Sequence, residues 1–341
     1  KAADMIDSYN FEDRKLVEIV KATYFNPKIV VIDETTTALS QEGREELYKH
    51  MERIRKSGNT VIFISHDLPE IIEKSDTITI LRDGVYIDTV KSKDVNENDL
   101  KKLMVGREVT GDYYRSDYGE KVSDEVVLSV KDVTVPGLIE NVSFDLHKGE
   151  ILGFGGLSES GMHEIGKAIF GASYDREGTV ELADGTQIND IPTAIKHSIA
   201  YTSKDRDNES VVLNQSIGDN ICLPSLDELS GPAHLISDKK KKDFANKFAK
   251  QMSVKMVDVN QFVSNLSGGN KQKVVLARWI GKDSDIVVLD SPTRGIDIKV
   301  KQDIYQLMNQ MRKNGKSIIM ISEELMELIG MCDRIMIMKD G

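Results

Sequence analysis

Short apolar runs recur along the chain at residues 29–32, 61–64, 151–154, 199–201, 286–289 and 318–321. Most are β-branched and alternate little with polar residues, the pattern of parallel strands buried on both faces. Between them, apolar positions return at helical spacing over 14–24, 41–56, 161–170, 238–252, 271–280 and 298–313. Strand–helix alternation of this kind predicts an α/β layered domain with its ligand beyond the carboxyl ends of the strands. Ahead of the run at 151–154, the segments 126–133 and 139–146 read as an antiparallel entry to the same domain.

The pattern also repeats. Residues 9–84 reappear without a gap at 266–341, an offset of 257. IVVIDETTTAL at 29–39 lies over IVVLDSPTRGI at 286–296, and KSGNTVIFISHDLPEI at 56–71 over KNGKSIIMISEELMEL at 313–328. A period this long means two copies of one domain. The expected organisation is the C-terminal part of a first copy over 1–108, a linker over 109–124 centred on 112–118, and a second copy over 125–341. With copies of equal length, about 125 residues of the first would precede Lys1, and the second would be cut short at Gly341. Positions that keep their residue type report the fold, and positions where a charged or catalytic type changes report a difference in function.

Composition removes several classes. A formal net charge of −11 argues against a nucleic-acid surface, because phosphate binding is driven by clustered Lys and Arg. The lysines at 239–242 are the exception and read as a solvated helix face. Cys222 and Cys332 lie far apart in apolar surroundings and form no disulfide framework, as expected in a reducing cytosol. No apolar run is long enough to span a bilayer, so a membrane role must pass through a partner.

The sharpest string is LSGGNKQK, residues 266–273, opening a helix. Ser267 is placed to cap that helix, and the amides of Gly268 and Gly269 are unobstructed, which makes a ready anion site. Capping alone accounts for Ser267 but not for two consecutive glycines. About 20 residues later an apolar strand ends in Asp290, a spacing that fits one motif family. Here the chain resembles the ATP-binding-cassette (ABC) ATPases, with Leu266–Asn270 as the LSGGQ signature and the strand-end acids as Walker B. Asn270 stands where Gln is commoner. The resemblance implies P-loop NTPase cassettes: a mixed-sheet α/β core with helices and a helical subdomain, in two tandem copies, the first truncated. It also implies ATP and Mg²⁺ as cofactors. By resemblance, Asp33 holds the Mg²⁺ shell through water, Glu34 polarises the attacking water, and His66 is the switch histidine at the γ-phosphate. Phosphoryl transfer needs such groups because its catalysis is mostly positioning and charge neutralisation.

In the second copy the phosphate loop is expected at Gly156–His163, including Ser158 and Ser160, with the backbone at Gly156 and Gly161 able to make an anion nest. It has the glycine spacing of G-x4-G-K-[ST] but not its chemistry. Met162 replaces the phosphate-clamping Lys, and His163 replaces the Mg²⁺-binding hydroxyl. Asp290 is expected at the nucleotide and its metal. The offset maps Glu34 to Ser291, His66 to Glu323, Ser267 to Asn10 and Gly269 to Glu12. An acid such as Glu12 near a γ-phosphate costs roughly 4 kcal/mol per charge pair at an effective dielectric of about 20. Loss of a positioned base costs about 10²–10⁴ in rate. ABC cassettes close head to tail, so each ATP lies between one domain's Walker motifs and the other's signature. Asp33, Glu34 and His66 would then be closed by Ser267, Gly268 and Gly269. The Gly156 loop, Asp290, Ser291 and Glu323 would be closed by Asn10 and Glu12. Every intact element falls in the first site and every altered one in the second, which implies one hydrolytic and one degenerate site.

MVGRE at 104–108, SKDR at 203–206 in place of a Q-loop glutamine, and SPTRGIDIKVKQDIYQLMNQ from residue 291 narrow the resemblance. The chain is similar along nearly all its length to the tandem-cassette ATPase subunits of bacterial monosaccharide importers, the ribose/galactose/xylose type. Those relatives commonly keep Asp-Glu in the second Walker B, so Ser291, Met162, Asn10 and Glu12 depart further than usual. Thr35 also replaces the usual Pro. The resemblance implies peripheral attachment to the cytoplasmic face of the membrane through permease subunits, an extracytoplasmic sugar-binding protein as indirect partner, and no nucleic acid. A nucleoside-importer ATPase shares this layout. A soluble tandem-cassette translation factor would carry a long basic helical linker and intact chemistry in both copies. A non-hydrolysing regulatory subunit would follow if the first copy's phosphate loop were also degenerate, and the presence of Glu34 and His66 weighs against it. The fragment alone, without the first copy's phosphate loop, is expected to be inactive.

Overall fold

The computed structural model describes residues 5–6, 9, 11–33, 35–36, 39–65, 67–82, 85–105, 114–115, 117, 122–157, 159–231, 235–296 and 298–341, with only the backbone of 11, 12, 101 and 105. The chain divides into two units, the first holding residues 1–111 and 297–299 and the second residues 112–296 and 300–341.

Unit one runs α1 (Phe11–Thr23), β1 (Ile29–Asp33), α2 (Gln41–Lys56), β2 (Thr60–Ile64), α3 (Leu68–Lys74), β3 (Thr77–Arg82), β4 (Val85–Lys91) and α4 (Glu97–Val105). Ser40 starts α2 by accepting from the Gly43 amide at 3.1 Å, and three basic residues close its last turn, where the helix dipole favours them. Strands β1 and β2 pair in parallel, while β3 and β4 form an antiparallel hairpin. Val30 and Ile32 pack with Leu47 and Met51 of α2. The opposite face carries Ile29, Val31, Ile62 and Ile64, all exposed. The expectation of burial on both faces therefore fails for these two strands, since within this chain the helices cover one side only.

Unit two holds two sheets. Its elements are β5 (Val126–Val135), β6 (Ile139–His147), β7 (Ile151–Gly156), α5 (Met162–Ile169), β8 (Glu177–Leu182), α6 (Ile191–Lys196), β9 (Ile199–Thr202), α7 (Ile217–Cys222), α8 (Leu226–Leu229), α9 (Asp238–Gln251), α10 (Gly268–Lys282), β10 (Ile286–Asp290), α11 (Ile298–Lys313), β11 (Ser317–Ile321), α12 (Leu325–Met331) and β12 (Arg334–Met338). Five parallel strands lie in the order β12-β7-β11-β10-β9, and β6-β5-β8 form the antiparallel sheet. Every residue of β10 and β11 is buried, as their unbroken apolar runs require. Helix α5 packs against strands of both sheets. Gly166 lets it approach closely, since a Cβ there would lie 2.9 Å from the Tyr201 ring and 3.0 Å from Ile321. Helices α7, α9 and α10 pack together beside the sheet. Lys239, Lys240 and Lys242 of α9 are exposed, and Lys241 pairs with Asp219. This is the α/β architecture with mixed sheets anticipated from the chain.

The elements of unit one from α1 to β3 recur at the 257-residue offset as α10 to β12. So does a buried polar cluster. Glu70 accepts hydrogen bonds from Thr36 at 3.0 Å, Ser65 at 2.8 Å and Tyr48. Its counterpart Glu327 is 1% exposed and accepts from Thr293 at 2.5 Å, Ser322 at 2.8 Å and Tyr305. A buried carboxylate is tolerable when its oxygens are fully used. In both copies one acid ties the start of its helix to the loop ends of two neighbouring strands.

Of the segment expected as the centre of the linker, Tyr114, Arg115 and Asp117 are described, and they pack on residues of unit two. Tyr114 packs on Tyr305 at 5.3 Å and lies where any side chain at Gly330 would have to go. The Arg115 side chain is fully buried and meets Asp333 at 2.7 Å, Asp117 at 2.8 Å and the Met331 carbonyl at 3.1 Å. Arg312 closes the cluster on Asp117 at 3.1 Å.

Two outcomes are expected. Glu327→Ala removes the acceptor shared by the Thr293, Ser322 and Tyr305 hydroxyls, while Lys301 keeps Glu324 at 2.7 Å, and should cost unit two about 3–5 kcal/mol in urea unfolding. Burial pushes the Asp117 carboxyl up, but Arg115 and Arg312 outweigh this and hold it below the ordinary range. A lowered folded pKa stabilises above the unfolded value of about 4 and loses that contribution as pH falls through the folded one. The urea midpoint of wild type should therefore drop more steeply below about pH 4 than that of Asp117→Asn.

Candidate functional site

The carboxyl ends of β7, β9, β10 and β11 converge on one cleft of about 410 Å³. Asp290 ends β10 and is 1% exposed. Its Oδ1 receives His163 Nδ1 at 2.7 Å and the Ser291 hydroxyl at 3.1 Å, while the Tyr201 hydroxyl lies 3.5 Å from Oδ2. His163 belongs to the first turn of α5, which follows the tight turn after β7. Lys204, just past β9, places Nζ 3.0 Å from His163 Nε2 and 2.6 Å from Glu323, which follows β11. One chain of contacts thus joins four loop segments: Ser291–Asp290–His163–Lys204–Glu323.

Burial lowers the pKa of His163, but hydrogen bonds to Asp290 and Glu323 outweigh it and hold the value above that of a free imidazole. The neutral ring donates from Nδ1 to Asp290 and accepts from Lys204 at Nε2. The imidazolium donates from Nε2 to Glu323, 3.5 Å away. Burial, and then the Asp290 charge, push the Tyr201 hydroxyl far up, so it stays protonated and able to donate toward Asp290.

The loop before α5 is shaped by its two glycines. Gly161 has φ +87° and a Cβ there would sit 2.6 Å from both Ile139 and the Leu138 carbonyl, while a Cβ on Gly156 would lie 2.6 Å from the Met338 carbonyl. The Ser160 hydroxyl faces Gly156 across the loop, buried and without a hydrogen-bond partner. Met162 is fully buried in the hydrophobic core, so it does not line the cleft as a loop residue facing phosphate would. Ser158 lies outside the described residues.

The segment at 266–270 adopts the helix start expected, with one difference. Ser267 is the residue before α10, but its hydroxyl caps no amide and instead accepts from the Asn270 side chain at 3.0 Å. Asn270 in turn accepts from the Lys255 amide at 2.8 Å. The Ser267 hydroxyl is therefore engaged within its own loop while the amides of Gly268 and Gly269 open the helix. Lys271 ties this turn to Asp207 at 2.9 Å. In unit one Asp33 ends β1 as expected. Glu34, His66 and Asn10 lie outside the described residues, as does the Glu12 side chain.

Sequence reasoning named Ser291, Glu323 and the 203–206 segment but did not single out Lys204 as a site residue. The available signal was the coincidence of three unusual residues, His163, Lys204 and Glu323, at the ends of strands that a parallel sheet must bring together.

Comparison with known proteins bears on this cleft. The ABC transporter family profile matches residues 139–294, which contain His163, Lys204 and Asp290 but not β11 and Glu323. The ribose import ATP-binding protein RbsA of Lactococcus lactis subsp. cremoris is 40% identical over 337 residues, covering 98% of this chain and 68% of its own length. This chain belongs to the ABC transporter ATP-binding protein family. The xylose import ATP-binding protein XylG of Thermoanaerobacter pseudethanolicus is 42% identical over 96% of this chain and 66% of its own length. The RbsA of Clostridium tetani is 37% identical over 97% of this chain and 65% of its own length. The ABC chain described here thus spans about two thirds of the length of these curated relatives. A dimeric ATP-binding cassette in a post-hydrolysis state with ADP and Pi superposes with TM-score 0.55 at 22% identity, covering 63% of this chain and 95% of that one. At that identity the likeness concerns the fold.

ABC ATPases bind ATP, and Mg²⁺ is general to such NTPases. The residues around Asp290 do not make a Mg²⁺ site. One oxygen of the buried Asp290 carboxylate is committed to His163 and Ser291, position 163 offers no hydroxyl, and the Lys204 ammonium touches the same ring. Mg²⁺ requires several oxygen ligands in near-octahedral order. Among the described residues, no group of three or more His, Cys, Asp or Glu could hold a metal ion. The expectation that Asp290 holds Mg²⁺ therefore finds no support in this geometry.

Proposed function

We propose that the chain is part of the ATP-binding and ATP-hydrolysing subunit of an ABC importer for a monosaccharide, carrying two tandem cassettes of which the first is represented by its C-terminal part. The observation that carries this reading is the 37–42% identity to ribose and xylose import ATP-binding proteins along nearly the whole chain. The 257-residue recurrence of elements and of the Glu70 and Glu327 clusters supports the tandem arrangement. Among the described residues no helix is long and apolar enough to cross a membrane. That agrees with a peripheral subunit held at the cytoplasmic face by transmembrane permease subunits, with a sugar-binding protein acting beyond them.

The two nucleotide sites divide the labour. In the closed head-to-tail sandwich of cassettes, Asp33, Glu34 and His66 serve the hydrolytic site, with Mg²⁺ held through Asp33 and closure by Ser267, Gly268, Gly269 and Asn270. Glu34 orients the attacking water, and the closing amides neutralise charge on the transferring phosphoryl group. The second site uses the Gly156–Gly161 loop and Asp290. At the position of the base it has Ser291, whose hydroxyl donates to Asp290 and cannot accept a proton from water at neutral pH. ATP closure of the sandwich would drive the permease, and hydrolysis at the first site would reset it.

ATPase assays of the complete subunit with its permease test this division. Glu34→Gln should lower turnover by about 10²–10⁴, and Ser291→Glu should change it less than about twofold, because that site's histidine switch and phosphate-clamping lysine are absent as well. Activity that survives Glu34→Gln would reverse the assignment.

A further inference from the structure

We infer that the domain-two site takes the phosphates of a nucleotide without a divalent metal ion, with Lys204 and His163 standing where the ion would. This rests on the reading of the Gly156–Gly161 loop as a nucleotide-phosphate site. An ion at Asp290 would have to approach its carboxylate to about 2.0–2.1 Å. Oδ1 already receives His163 at 2.7 Å and Ser291 at 3.1 Å, and Lys204 holds a positive charge 3.0 Å from the far side of the imidazole. Entry of a dication would break the His163 contact and set two cations against one another in a largely buried place. The usual hydroxyl ligand is missing as well, since position 163 is His and Met162 is turned into the core.

Phosphate meets the opposite conditions. The ammonium of Lys204 is fixed at the mouth of the cleft, beside the first turn of α5, whose amides favour an anion. The Ser160 hydroxyl, 95% buried by residue exposure and lacking any partner, lies inside the loop that precedes this turn. Lys167 and Arg294 line the same cleft. Among the acids that line it, Glu209 is held by Lys167 at 3.0 Å and by Ser203, Asp205 by the Asn208 side chain at 2.8 Å and Asp290 by His163, while Glu159 and Glu164 lie on the same wall. Glu323 is the direct competitor, 2.6 Å from Lys204 and about a third exposed. A terminal phosphate takes its place on Lys204, and the freed carboxylate turns to solvent. Glu323 thereby sets how tightly the site binds, while His163 and Lys204 set its indifference to metal.

Equilibrium dialysis of the 341-residue chain with a labelled non-hydrolysable ATP analogue, in excess Mg²⁺ and in excess EDTA, tests the inference. Wild-type affinity should differ less than about twofold between the two conditions, and Glu323→Gln should tighten it about tenfold in both. The double variant His163→Ser, Lys204→Gln should bind at least about tenfold more tightly with Mg²⁺ than without. Wild-type binding that falls about tenfold in EDTA overturns the inference while leaving the nucleotide-site reading intact. A double variant that stays indifferent to Mg²⁺ also overturns it. Wild type that binds in neither condition removes the nucleotide-site reading itself, and the inference with it.

Discussion

A carboxylate at the end of a fully buried strand has to be paired, and the site in unit two is arranged around that requirement. Asp290 is 1% exposed at the end of a strand with no exposed residue. An unpaired charge there would cost several kcal/mol. In a cassette with a hydroxyl after its phosphate-clamping lysine, the compensation can come from a bound ion and its ligand. Here the chain supplies it from within, through His163 and Ser291, and the charge of Lys204 reaches the same ring from the opposite side. The identity of each neighbouring residue follows from that substitution: a base at position 291 would add a second acid beside Asp290, and a cation at 204 needs an acid such as Glu323 within reach.

The two copies separate what serves the fold from what serves chemistry. Glu70 and Glu327 sit in the same cluster of a Thr, a Tyr and a Ser, although the residue after each Ser differs, His66 in one and Glu323 in the other. The cluster joins the loop after one strand to the loop after the next and to the intervening helix. Its retention keeps these loops in register whether or not they carry catalytic groups.

Much of this was legible along the chain. Parallel strands with both faces covered need unbroken apolar runs, so β7, β10 and β11 were visible directly, and the long period aligned the copies without reference to other proteins. The same rule misled at β1 and β2, where half of each apolar run is exposed, because a run records what a strand can bury and not what this chain covers. Within the segment 112–118 the burial of one residue was hidden for a related reason. Arg is a surface type by composition, yet the Arg115 side chain is fully buried because Asp117 and Asp333 meet it. Ser267 looked like a helix cap on position alone, but the Asn that replaces Gln at position 270 takes up its hydroxyl. Lys204 was the least visible. Its role depends on three residues 41 and 119 positions apart in sequence that only the sheet order brings together.

The most direct measurement is a crystal structure of the chain grown with a nucleotide and Mn²⁺, whose anomalous scattering reports the metal in unit two. The account predicts no manganese peak at Asp290, with His163 Nδ1 still within hydrogen-bond distance of its carboxylate. A peak about 2.2 Å from an Asp290 oxygen, with His163 swung away, would contradict it.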